Sequence, residues 1–113
     1  MVVLVIDDSE ADLTLWGLQF RKILDVTPIM SSSINEAKKV LKKRKVDLVL
    51  TDHLMGNSTS SDCINMVQSV DPSIPVLIVS DMNNAKEGIL NKSECMKKIS
   101  RFYKLIKRYV GRK

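Results

Sequence analysis

Three short runs of mostly branched apolar residues each stop at an acid or a hydroxyl, and this pattern constrains the fold more than any other feature. The runs are VVLVI at Val2–Ile6, VDLVLT at Val46–Thr51 and PVLIVS at Pro75–Ser80; Asp7 follows the first, Asp52 follows the second, and Ser80 closes the third. Apolar runs of this length read as strands buried on both faces, the interior strands of a parallel sheet. Helical spacing fills the gaps between them. Ser9-Glu10-Ala11-Asp12 reads as an N-cap with an acid three residues on, and Leu13, Trp16, Phe20 and Ile23 follow at helical spacing. Ser33-Ile34-Asn35-Glu36 is a capping-box sequence ahead of Ala37, Val40 and Leu41. Asp62–Val70 predicts a short helix stopped by Asp71-Pro72. A last helix is predicted from a Ser93 cap through Met96, Ile99, Phe102, Leu105, Ile106 and Tyr109 to a stop at Gly111.

Two weaker extended pieces complete the set. Asp25–Met30 carries Pro28, which confines it to an edge, and Gly88–Lys92 supplies a very short fifth strand. The stretch from Gly56 to Ser61 is rich in Gly, Asn and Ser and predicts irregular backbone. Strands separated by helices require right-handed crossovers and a parallel sheet. Five strands in 113 residues give a single α/β domain over 1–113. The expected architecture is flavodoxin-like and doubly wound, with strand order 2-1-3-4-5. In that order the first and last helices share one face and the middle helices cover the other.

Composition bounds the function classes. With 44% apolar and 27% charged residues the chain reads as an ordinary globular domain. No stretch approaches the roughly 18 apolar residues of a membrane span, and Val2–Ile6 runs straight into Asp7-Asp8, unlike a signal peptide. Two cysteines, Cys63 and Cys95, stand far apart, and His53 is the one histidine, which excludes a zinc site. Sparse cysteine use points to a reducing compartment, so the expected location is cytoplasmic. The net charge of +5 is concentrated, with six of the 18 basic residues in Lys38–Lys45 and eight between Lys97 and Lys113. The expected topology sets these segments on opposite sides, so no continuous nucleic-acid stripe is expected.

Ligands of open parallel sheets bind beyond the carboxyl ends of the strands, where the strand order reverses. Here that point lies between the first and third strands, so Asp7, Asp8 and Asp52 converge on one crevice. Carboxylates this close raise one another's pKa unless a cation neutralises them. With only oxygen ligands on offer, Mg²⁺ retaining some of its waters is the expected ion. Ser80 adds a hydroxyl at the end of the fourth strand, and Lys92 adds a compact cation after the fifth. Together they form a phosphoryl-transfer set in which Asp52 attacks phosphorus while the metal and Lys92 neutralise charge.

The stretches VVLVIDDSEAD, VDLVLTDHLM, IPVLIVS and GILNKS resemble the receiver domain of two-component response regulators across nearly the whole chain. The resemblance implies that Asp52 is the phospho-acceptor, loaded from the phosphohistidine of a histidine kinase or a phosphotransfer protein. It implies that Asp7, Asp8, Asp52 and the backbone carbonyl of Leu54 hold Mg²⁺. It also makes Ser80 the switch hydroxyl and Lys92 the phosphate-pairing lysine. Such a domain is a signalling module with self-phosphorylation and dephosphorylation chemistry, not a turnover enzyme.

The chain departs from the family pattern at several points. Gly56 stands where proline is usual, Asp81 follows the switch hydroxyl in place of a small residue, Ile89 replaces the aromatic of the fifth strand, and Ser93 replaces the proline after the lysine. Only 12 positions separate Ser80 from Lys92, shorter than the family by about one helix of ~11 residues. The fourth helix is therefore expected to be missing or cut to a turn within 82–87. That loss alters the output face and uncovers part of the sheet for a second copy or a dedicated partner. The alternative reading is a pseudo-receiver that binds proteins without phosphorylation. An Asp-nucleophile phosphatase would want a second acid two residues after Asp52, where Leu54 stands.

Overall fold

The computed structural model describes residues 1–81 and 89–111. The elements follow in the order β1 (Val2–Ile6), α1 (Glu10–Phe20), β2 (Thr27–Ser31), α2 (Ile34–Lys43), β3 (Leu48–Asp52), β4 (Leu54–Met55), β5 (Ser58–Thr59), α3 (Ser60–Val70), β6 (Val76–Ser80), β7 (Ile89–Asn91), α4 (Lys92–Lys97) and α5 (Ile99–Gly111). Five strands form one sheet in the order β2-β1-β3-β6-β7, and every pairing within it is parallel. With the β4–β5 pair set aside, this is the expected order 2-1-3-4-5. Pro28 lies on the outermost strand opposite Val3, where a missing N–H is tolerated.

The strands are buried on both faces, so side-chain alternation divides the interior into two cores. Val3, Val5, Leu48, Leu50, Leu77 and Val79 face α1 and α5, meeting Trp16, Phe20, Ile99, Phe102 and Ile106. Leu4, Ile6 and Val49 face α2 and α3, meeting Ala37, Leu41, Cys63, Met66 and Val67. Trp16 stacks on Phe20 with ring centroids 5.5 Å apart, and Phe102 closes the cluster at 5.8 Å from Trp16. Each large buried ring stabilises the fold by about 1.5–3 kcal/mol relative to exposure. The first and last helices thus share a face, and the two basic segments lie on opposite layers as expected.

Several local expectations change. The stretch after Asp52 is not irregular: Leu54–Met55 pairs antiparallel with Ser58–Thr59 around Gly56 at φ 55°, and Ser60 already begins α3. The last helix is broken at Lys98 (φ −117°, ψ 54°), which leaves α4 and α5 as separate pieces. Its cap is Asn91, whose side chain accepts from the Glu94 N–H at 2.9 Å, not Ser93. Tyr109, expected on the apolar face, is 38% exposed. Ser33 does cap α2, accepting from the Glu36 N–H, but the Glu36 carboxylate accepts from Ser32.

The expected shortening of the fourth helix falls in 82–87, outside the described residues. Beside it, Ile78 and Ile89 are register partners on the α3 side of the sheet and are only half-buried. Leu4, Ile6 and Val49 on that same face are fully buried. Among the described residues no helix is long and apolar enough to cross a membrane.

Candidate functional site

The carboxyl ends of β1, β3 and β6 open into a crevice of about 190 Å³, lined by Asp7, Asp8, Ser9, Asp12, Asp52, Leu54, Ser80, Asp81 and Lys92. The candidate site residues Asp7, Asp8, Asp52, Leu54, Ser80 and Lys92 are therefore brought to one place. Asp7 directly follows β1 and is held on both oxygens. Its Oδ1 accepts from the Ser9 N–H at 3.0 Å, and its Oδ2 accepts from Lys92 Nζ at 2.7 Å. Asp8 is exposed, while Asp52 at the end of β3 is part-buried. One oxygen from each of the three lies within 4.8 Å of the others. Hard oxygen donors at this spacing, without thiolate or imidazole, fit a small divalent cation such as Mg²⁺.

Lys92 follows β7 as expected but forms the first residue of α4. That position carries Nζ under the sheet end, where the side chain is only 4% exposed. Nζ lies 2.7 Å from Asp7, 2.9 Å from Asp12 and 3.3 Å from Asp52. Burial works against the ammonium charge, yet its hydrogen bonds to Asp7 and Asp12 and the charges of Asp7 and Asp52 outweigh burial. The Lys92 pKa is consequently raised. Asp52 shows the opposite balance. Burial lifts its carboxyl above the ordinary 3.8, Lys92 pulls it down, and Asp7 pushes it up again, for a net rise. Carboxylate charge at Asp52 is thus under-compensated by the protein alone.

Ser80 is buried at the end of β6, and Leu54 is half exposed at the crevice wall. Asp81 lines the rim, where its Oδ1 accepts from the Ser93 hydroxyl at 3.2 Å. The start of α3 is tied to the end of β3, since the Ser60 N–H donates to the His53 carbonyl at 2.9 Å. Ser60 Oγ also lies 2.9 Å from His53 Nδ1. These bonds fix the backbone just beyond Asp52.

Asp12 is the site residue that the sequence reading passed over. As a first-turn acid it reads as half of a capping box, and Ser9 Oγ does accept from its N–H at 3.2 Å. The return bond, however, goes from the Ser9 N–H to Asp7. That leaves the Asp12 carboxylate to Lys92. A usable signal was present: Asp12 stands in the first turn of a helix that begins three residues after Asp7, beside the strand end.

No family model matches the chain, and no curated protein matches it by sequence. Solved structures do. A response regulator receiver domain protein from Clostridium thermocellum superimposes with a TM-score of 0.73 at 25% identity, over 98% of this chain and 94% of that one. The N-terminal domain of a response regulator/sensory box/GGDEF 3-domain protein from Carboxydothermus hydrogenoformans reaches 0.80 at 16% identity, over 96% and 94%. The response regulator protein TrrA from Thermotoga maritima, solved in complex with Mg²⁺ and BeF, reaches 0.76 at 15% identity, over 93% and 97%. Strand order and paired helical layers accord with this likeness, and the chain has the fold of a response-regulator receiver domain.

Proposed function

We propose that this domain accepts a phosphoryl group on Asp52 from a histidine kinase or phosphotransfer protein, in an Mg²⁺-dependent reaction. The observation that carries the reading is the convergence of Asp7, Asp8, Asp52 and Lys92 on one crevice at the strand ends. An Asp52 oxygen attacks phosphorus, the P–O bond forms, and the bond to the donor breaks with its electron pair leaving on the donor. Lys92, 3.3 Å from Asp52, is placed to meet a phosphoryl oxygen, and Ser80 offers its hydroxyl from the end of the adjacent strand β6. Asp7, Asp8, Asp52 and the Leu54 carbonyl would hold the cation, which when bound supplies charge neutralisation at the transferred group. Chemistry on the domain is limited to its own phosphorylation and dephosphorylation, as befits a signalling module. The half-buried Ile78–Ile89 edge is the place for a second copy or a dedicated partner.

Acetyl phosphate with Mg²⁺, followed by intact mass, tests the reading. One phosphoryl group should appear, be lost at alkaline pH as an acyl phosphate is, and be absent in Asp52→Asn. A label that persists in that variant moves the acceptor elsewhere. A second reading, a protein-binding module without the switch, draws on Asp81 beside Ser80 at the crevice rim. It predicts no phosphoryl uptake under the same conditions.

A further inference from the structure

The Lys92 ammonium has three N–H donors and three carboxylates around it. A phosphoryl group on Asp52 takes over the 3.3 Å contact, the longest of the three, and drawing the ammonium toward it stretches one of the other two. Those two differ in what their loss would cost. Asp7 is 1% exposed and would be left as a bare buried charge, which is strongly unfavourable. Asp12 has a side chain 26% exposed, so water can take over its solvation. Asp12 is also free to hold the lysine because Asp7 occupies the return bond of its helix cap. Among the described residues the crevice lining thus sets five carboxylates, Asp7, Asp8, Asp12, Asp52 and Asp81, against a single ammonium.

We infer that Asp12 is a positioning residue that tethers Lys92 toward α1 and competes with a phosphoryl group on Asp52 for its ammonium. This rests on the phospho-acceptor reading above and adds a regulator of the same site. Loading pivots Lys92 about Asp7: the Nζ–Asp12 contact opens, and one N–H turns to a phosphoryl oxygen. Asp12 then sets how readily the loaded state forms and how long it lasts.

The probe is beryllofluoride with Mg²⁺, its affinity read by NMR titration, alongside acetyl phosphate loading and acyl phosphate lifetime. Asp12→Asn keeps the shape and removes the charge, and should bind beryllofluoride about tenfold more tightly, the scale of one charge-assisted contact. Asp12→Glu keeps the charge and should stay near wild type. In a Lys92→Met background, Asp12→Asn should change nothing, because the effect runs through the lysine. If Lys92→Met does not fold, the contrast between Asp12→Asn and Asp12→Glu carries the test. Loading that is normal in wild type and unchanged in Asp12→Asn overturns the tether and leaves the phospho-acceptor reading intact. Weaker binding of Mg²⁺ alone by Asp12→Asn also overturns it, since Asp12 would then belong to the metal site. Absence of loading in wild type and variant alike overturns the phospho-acceptor reading and the tether with it. Loading by the variant alone supports the tether.

Discussion

Lys92 and Asp7 are each tolerated out of water because of the other. They are 3% and 1% exposed, and an isolated charge in either place would cost several kcal/mol. Lys92→Met keeps most of the stem's volume and strands the Asp7 carboxylate. We expect a stability loss of about 3 kcal/mol in metal-free buffer, partly regained with Mg²⁺. Urea denaturation with and without the cation checks this, and an equal loss in both would show that no cation takes over the ammonium's role. Asp52 has the reverse energetics. Its folded carboxyl titrates above 3.8, mainly through burial, with Lys92 opposing and Asp7 reinforcing the rise. The folded state therefore binds this proton more tightly than the unfolded state does. Stability from this group is full below 3.8 and is lost as pH rises through the folded value. Asp52→Asn removes that loss, so without metal it should melt above wild type at neutral pH. The difference should shrink toward zero as pH falls below 3.8. A variant that melts no higher than wild type at neutral pH would contradict this balance.

The elements were legible in the sequence to different degrees, for physical reasons. β1, β3 and β6 stood out because strands covered on both faces leave continuous apolar runs. The break between α4 and α5 did not, because Met96, Ile99, Phe102 and Leu105 keep helical spacing straight through Lys98, and apolar periodicity does not register one residue leaving the helix. Asp12 was hidden for a related reason. A first-turn acid looks the same in sequence whether it caps its own helix or reaches across to another. The β4–β5 hairpin escaped because two-residue strands carry no alternation to read. Its one clear mark is Gly56, whose φ of 55° lies in the left-handed region. A Cβ there would sit 3.6 Å from Asp8 Oδ2, an ordinary contact, so the cost of a side chain is conformational and not steric crowding. Gly56→Ala should therefore lower stability by about 1–2 kcal/mol. Gly56→Asn should lower it by less, since Asn visits this region more readily. Thermal melts of the two variants distinguish the cases, and equal losses would point to crowding against Asp8.

At the scale of the whole molecule, charge is segregated. The chain carries +5 overall, yet five of its 13 acidic residues, Asp7, Asp8, Asp12, Asp52 and Asp81, line one crevice at the carboxyl end of the sheet. The basic segments lie along the helical layers and contribute no residue to the crevice lining. Among the described residues Lys92 supplies the one ammonium in the crevice lining. A divalent ion that binds the folded crevice and not the unfolded chain stabilises the fold by mass action, about 2.7 kcal/mol at a hundredfold excess over Kd. For a domain near 100 residues that corresponds to a rise in Tm of roughly 10 °C. Screening alone would also relieve repulsion among the carboxylates, so the control is KCl at matched ionic strength, which should give much the smaller shift. Asp8→Asn isolates the site further. Asp8 is exposed and makes no ion pair among the described residues, so its loss should leave the metal-free fold intact while removing most of the Mg²⁺-dependent rise. Equal shifts in MgCl₂ and KCl, or an undiminished Mg²⁺ shift in Asp8→Asn, would assign the stabilisation to screening and leave the crevice without a specific cation.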